Sequence, residues 1–220
     1  MSRATIEIAI LDASLDDPQW PRDSADVLDY LARARAHAAR CSFCAADLDA
    51  WNWDTQAITL SAVSTQRLLA ALPADSELSA PVRQMKAMHE QLGWGNPIGL
   101  GLQTRGFLVS LRGKALYGGV FLEAVSERRV DVPVLRTTLA GARAVFKVLP
   151  VHLPFLIADP GTTEREITID EVAPEARQDW PVARMMARLA YGAEAVRQRA
   201  VVRDNSLRAA LQDAGRLVEN

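Results

Sequence analysis

The stretch His37-Ala38-Ala39-Arg40-Cys41-Ser42-Phe43-Cys44 holds both cysteines of the chain and one of its three histidines. Its period is helical. Val27, Leu31, Ala34, Ala38, Cys41, Ala45 and Leu48 recur at alternating four- and three-residue spacing, the mark of one face of an α-helix. Tyr30, His37, Cys44 and Trp51 run beside that stripe. Upstream, Asp23 or Ser24 supplies a side-chain oxygen for the orphan N–H groups of a first turn. The expectation is one long helix, or two with a bend near Ser42, burying a face of small residues.

Toward the N-terminus, Thr5–Leu11 alternates, with Ile6, Ile8 and Ile10 on one side, and reads as a half-buried strand. Asp16-Asp17-Pro18 and Trp20-Pro21 then break the pattern. Downstream, Ala57–Val63 alternates like a strand while Gln66–Leu72 looks helical. Glu77–Leu92 predicts a helix with Leu78, Val82, Met85, Met88 and Leu92 on one face, ended by Gly93. Gly93, Gly95, Pro97, Gly99 and Gly101 suit a linker or a glycine-rich approach to a sheet.

Four β-rich runs follow, Phe107–Leu111, Ala115–Ala124, Val132–Thr138 and Ala142–Leu149, separated by turn residues. They predict an antiparallel meander, to which Ile167–Ile169 adds a short strand. Asp179-Trp180-Pro181 has the cap and first-turn proline of a helix start, and Ser206–Val218 packs through Leu207, Leu211 and Leu217. The fold class expected is α+β: a helical N-terminal half, a small antiparallel β-meander, and a C-terminal helix packed on the sheet or the helices. The organisation expected is a mainly helical region over 1–92 and a sheet with C-terminal helices over 93–220, which one compact domain also accommodates.

Placed on a helix, His37, Cys41 and Cys44 fall within an arc of about 60° and stack over two turns. An imidazole nitrogen and two thiolates are ligands that zinc prefers. Packing accounts for the same residues, since free cysteine behaves as a small hydrophobe. The pair also admits thiol redox chemistry, although such motifs usually open a helix, where the dipole lowers the thiol pKa. His152, between Pro150 and Pro154, is a candidate general base with no serine or cysteine partner evident in sequence. Gly93–Gly99 is no phosphate loop, because Pro97 removes a needed N–H and no Gly-Lys-Ser/Thr follows.

Ala36-His37-Ala38-Ala39-Arg40-Cys41-Ser42-Phe43-Cys44-Ala45-Ala46-Asp47-Leu48 resembles the signature of zinc-associated anti-sigma factors. The resemblance covers about a tenth of the chain and rests on the HxxxCxxC motif. It implies His37, Cys41 and Cys44 as zinc ligands and a sigma factor as protein partner. Family members usually take a fourth ligand, His or Cys, from an upstream helix, and this chain has neither before His37.

Composition narrows the classes. Apolar residues at 49% and charged residues at 24% match a globular chain able to bury a core, and the net charge of −2 gives no bulk attraction to nucleic acid or acidic membrane. Residues 1–55 carry ten acids against five arginines, while eight arginines lie between Arg177 and Arg216; two solvated, mutually attracting faces account for this. No export signal is legible near Met1–Leu11 and no membrane span is expected, so the chain is expected in the cytoplasm. Phe107–Leu149 has no paired carboxylates at a recognisable spacing and no nucleophile beside a base. The sequence therefore favours a regulatory or protein-interaction protein, zinc-binding and anti-sigma-like in one reading. A small-molecule or protein-binding module without metal, and an enzyme using the CxxC pair or His152, are the alternatives.

Overall fold

A computed structural model describes residues 5–78, 80–92, 96–123, 130–151 and 199–219. Among these, nine strands form one mixed sheet in the order β2-β1-β5-β6-β7-β8-β4-β3-β9. The strands are β1 Ile6–Ser14, β2 Ala39–Cys44, β3 Leu48–Asn52, β4 Ala57–Leu60, β5 Arg105–Leu111, β6 Lys114–Phe121, β7 Val134–Ala140, β8 Arg143–Leu149 and β9 Leu217–Val218. The helices are α1 Ser24–Ala38, α2 Ala62–Ala70, α3 Ala80–Leu92, α4 Pro97–Leu102 and α5 Asn205–Asp213. No helix among the described residues is long and apolar enough to cross a membrane.

This corrects the expected α+β arrangement. The N-terminal half is not a helical unit: beside α1, α2 and α3 it contributes four strands to the sheet, and β1 lies between β2 and β5. The sheet crosses the division between 1–92 and 93–220. Nor is the C-terminal part a simple meander. β5–β6 and β7–β8 are antiparallel hairpins, but β6 and β7 run parallel through Val120↔Val134 and Phe121↔Leu135, so a crossover connects them. The hairpins are set by their loops. Arg112 and Gly113 both take positive φ (52° and 80°) between β5 and β6, and Gly141 (φ 61°) opens the β7–β8 loop, as tight two-residue turns require.

The central error is the stripe from Ala38 to Leu48. The helix begins as expected, with Asp23 accepting from Ala25 N, but it ends at Ala38 and the chain turns extended at Ala39 (φ −73°, ψ 114°). No glycine or proline marks the break. From Arg40, alternation takes over: Phe43 is buried while Ser42 and Cys44 are exposed, because β2 pairs with β1 through Ile8↔Phe43 and Ile10↔Cys41. Leu48 and Trp51 kept the helical period for a different reason. A register shift between Leu48 and Ala50 inserts a bulge, so two residues three apart both enter the core.

The sheet must curl. Laid flat, β2 and β3 would lie about 34 Å apart at normal strand spacing, yet Ala45–Asp47 is all that joins them, a reach of about 15 Å. Curling creates a concave interior and a convex exterior. Ile6, Ile8 and Ile10 of β1, Phe107 and Val109 of β5, Phe121 of β6, Phe146 of β8 and Trp51 of β3 share the inner core. Inside it, Tyr117–Phe107, Phe107–Phe121 and Phe121–Phe146 meet edge to face at 6.3, 5.8 and 5.8 Å. The helices α2, α4 and α5 add Leu68, Ile98, Leu102, Leu207 and Leu211 to that core. Outside, α1 lays Val27, Leu31 and Ala34 over Ala9, Leu11, Leu108 and Val120. Gly106 and Gly118 form the floor beneath it: a Cβ on either would stand 2.7 or 2.8 Å from a Leu31 methyl.

The seam between the two ends of the sheet is tied by side chains. Asp47 accepts from Cys44 N (2.8 Å) and Ser64 Oγ (2.9 Å) and pairs with Arg67 (2.9 Å). Arg67 also donates to Ser42 O (3.1 Å) and lies 5.0 Å over the Phe43 ring, while Arg216 donates to Ala45 O (3.1 Å). The bonds to Cys44 N and Ser42 O occupy main-chain groups of the edge strand β2 that would otherwise template another strand.

Candidate functional site

The three residues of the HxxxCxxC motif do not converge. His37 is exposed in the last turn of α1. Cross-strand partners share a face, so Cys41, opposite Ile10, faces the interior, whereas Cys44, opposite Glu7, faces the exterior. Glu7 is held there by Arg35 of α1. The helical arc that grouped the motif ends before the cysteines begin. As arranged, the residues do not fit a shared zinc ion. Among the described residues, no group of three or more His, Cys, Asp or Glu is placed to hold a metal. Both cysteines are free thiols, and side chains on opposite faces cannot approach to the about 3.5–4.5 Å between Cβ atoms that a disulfide needs. His152 and Asp179–Val196 lie outside the described residues, as does Ile167–Ile169.

The thiols differ in chemistry. Burial pushes Cys41 up to about 11, against the pull of Arg67 and Arg40, while Cys44 is exposed. Since the thiolate is the reacting species, iodoacetamide at neutral pH is expected to label Cys44 first, with Cys41 lagging. Peptide mapping by mass spectrometry reads both rates, and equal labelling would contradict this placement.

Arg40, inside the motif, has a structural task. It donates to Asp12 Oδ1 (2.6 Å), Glu77 Oε1 (2.8 Å) and Ala71 O (3.1 Å). Arg105 reaches the same Asp12 carboxylate (2.8 Å). Two cations and two carboxylates close into a neutral network across β1, β2, β5 and the turn at Asp75–Glu77.

Two other places gather polar groups, and both flank the β6–β7 crossover. The first is a corner under α4. Asn96 caps α4 by accepting from Gly99 N (3.2 Å), and its amide nitrogen donates toward Thr137 O (2.6 Å), Thr137 Oγ1 (3.1 Å) and Glu123 Oε1 (3.2 Å). Gln103 Oε1 accepts from Glu123 N (2.9 Å). Burial raises the Glu123 carboxyl to about 6, with Arg136 pulling it back. The carboxylate lies so close to the helix that a Cβ on Gly99 would sit 1.4 Å from Oε1. Sequence reasoning missed this corner. Asn96-Pro97 is a helix start, a cap followed by proline at the first helical position, and Glu123 is an acid inside an apolar run.

The second is a cleft of about 560 Å³ at the start of α1. Leu15, Trp20, Val27, Val130 and Val132 give it apolar walls, and Arg22, Asp23, Ser24 and Asp131 bring polar groups. Trp20 is braced edge-on by Tyr30 (5.5 Å, 67°), whose hydroxyl donates to Asp17 (3.4 Å). The neighbouring turn is strained: Thr104 is a β-branched residue at φ 67°, a rare conformation. It is held by Leu15 N→Thr104 O (2.8 Å), Thr104 N→Phe121 O (2.8 Å) and a hydroxyl chain from Ser14 (2.9 Å) through Thr104 to Asp16 (3.0 Å). The cleft loop and the end of β6 are thus fastened to one residue. Comparison of the chain with protein-family models, with curated proteins and with solved structures finds no match.

Proposed function

We propose that the chain is a binding module whose ligand occupies the cleft at the start of α1. The observation that carries this is the cleft itself. Its volume of about 560 Å³ falls in the range of small-molecule sites, which pair apolar walls with a few placed polar groups. Trp20 supplies a braced flat surface, and Arg22, Asp23 and Asp131 put both signs of charge at the rim. An occupant with an aromatic or branched apolar body and a charged or zwitterionic end fits this lining. The zinc-bound, anti-sigma-like reading draws its support from the HxxxCxxC resemblance alone, and the separation of Cys41 from Cys44 adds nothing to it.

A panel of aromatic carboxylates, aromatic amines and aromatic amino acids, titrated into isotope-labelled protein, tests the proposal. The expected result is amide shifts confined to residues 15–27 and 130–132, lost in Trp20→Ala while the denaturation midpoint changes little. Shifts that survive Trp20→Ala, or a panel that leaves these residues unmoved, would count against the cleft.

A further inference from the structure

Glu123 has no part in the proposed cleft, yet it is half-buried, titratable and wedged between two elements. We infer that Glu123 makes the docking of α4 on the concave face depend on pH, clasped when the carboxyl is protonated and loosened when it is charged.

The geometry leaves little room for the charged form. Oε1 stands where a side chain at position 99 would be, so the first turn of α4 covers the carboxylate on one side. On the other, the Asn96 amide offers two N–H groups to three acceptors: Thr137 O, Thr137 Oγ1 and Glu123 Oε1. The Thr137 hydroxyl carries a donor of its own, so hydrogen bonding in the corner does not choose between the two forms. The cover does: the first turn of α4 lies over the carboxyl and keeps water from a charge there. Among the described residues, α4 and the Gln103–Thr104 turn present no charged group to it, and β7 presents Arg136, which lies across from Lys147 of β8. The ionised form gains water most readily if α4 withdraws, because α4 is a helix of six residues fastened at its start by Asn96.

The sign follows from linkage. A carboxyl whose proton is held more tightly in the closed state stabilises that state fully below the pH range of a free glutamate and loses the contribution as pH rises through about 6. A carboxyl held at about 6 rather than 4.5 favours the closed form by at most about 30-fold.

Hydrogen exchange on the full chain reads this at the Gly99 and Leu100 amides, which bond to Asn96. After correction for intrinsic exchange, their protection is expected to fall between pH 5 and pH 7.5 by about 8-fold, with Val109 in β5 as an internal reference. Glu123→Gln should hold the protection level across that range, and Asn96→Ala should lower it at both ends. Protection in the wild type that is flat with pH overturns the inference, as does an undiminished fall in Glu123→Gln. Should Glu123→Gln fail to fold, the carboxyl carbon titration of Glu123 in the wild type decides: the carboxyl must titrate near 6 and Leu100 protection must level off above that midpoint, and a carboxyl that titrates near 4.5, or protection that goes on falling well above the midpoint, rejects the clasp.

Discussion

A chain ending at Asp204 is expected to lose its stable monomeric fold. It would lack α5 and β9. Leu207 and Leu211 are 0% exposed and belong to the inner core, with Ala210 beside them. Removing one buried leucine side chain typically costs about 2–5 kcal/mol, and two such losses reach the about 5–15 kcal/mol by which a domain is stable at all. The main chain loses as well. Trp51 N and Trp53 N donate to Arg216 O (2.7 Å) and Val218 O (2.9 Å), so truncation turns β3 into a bare edge beside uncovered apolar surface, a combination that promotes aggregation. Size exclusion and circular dichroism of the truncated chain test this, and a folded, monomeric product would refute it. Leu211→Ala in the full chain should remain folded with a lowered denaturation midpoint, separating core loss from loss of the strand.

The role of that segment differs from the one its sequence suggested. Leu207, Leu211 and Leu217 are the residues that pack, as their spacing indicates, but they enter the concave interior from a helix and then a parallel strand. Elsewhere, strands with clean alternation and glycine turns were readable: Ile6, Ile8 and Ile10 in β1, and the two hairpins around Arg112-Gly113 and Gly141. Residues 39–52 were not. An alanine-rich helix runs into a strand without a stop signal, and a bulge at Leu48–Ala50 copies the three-residue step of a helix. Local pattern cannot separate these cases, because long-range pairing of Cys41 with Ile10 and Trp51 with Ile58 decides them. The same holds for the candidate sites. Glu123 and Asn96 are 27 residues apart, and the cleft joins residues near 20 to residues near 131. The motif visible as one short string was the one that folding pulled apart.

Gly119→Ala is expected to be the most damaging single-methyl addition, at about 3 kcal/mol, the upper end for overpacking. Gly119 lies on β6 opposite Phe107, and a Cβ there would stand 1.7 Å from Pro133 O and 3.1 Å from Phe107 Cε1. The ring could turn aside, but the carbonyl could not. Pro133 has a fixed φ, and its oxygen accepts from Val120 N (3.1 Å), the bond that brings β7 alongside β6. This joint is the narrowest in the sheet's middle, with two register pairs against the six of β5–β6 and the seven of β7–β8. On one side of it stand β2, β1, β5 and β6, and on the other β7, β8, β4, β3 and β9. A wedge at Gly119 therefore separates two groups of strands rather than distorting one, and unfolding should lose cooperativity, seen as a shallower denaturant transition. Gly113→Ala is the matched control. Its position has φ 80° and nothing within 4 Å of the added methyl, so it should cost about 1–2 kcal/mol of backbone strain with an unchanged slope. Equal midpoints and slopes for the two variants would mean that the β6–β7 joint yields, and that Gly119 is not what allows the two groups of strands to meet.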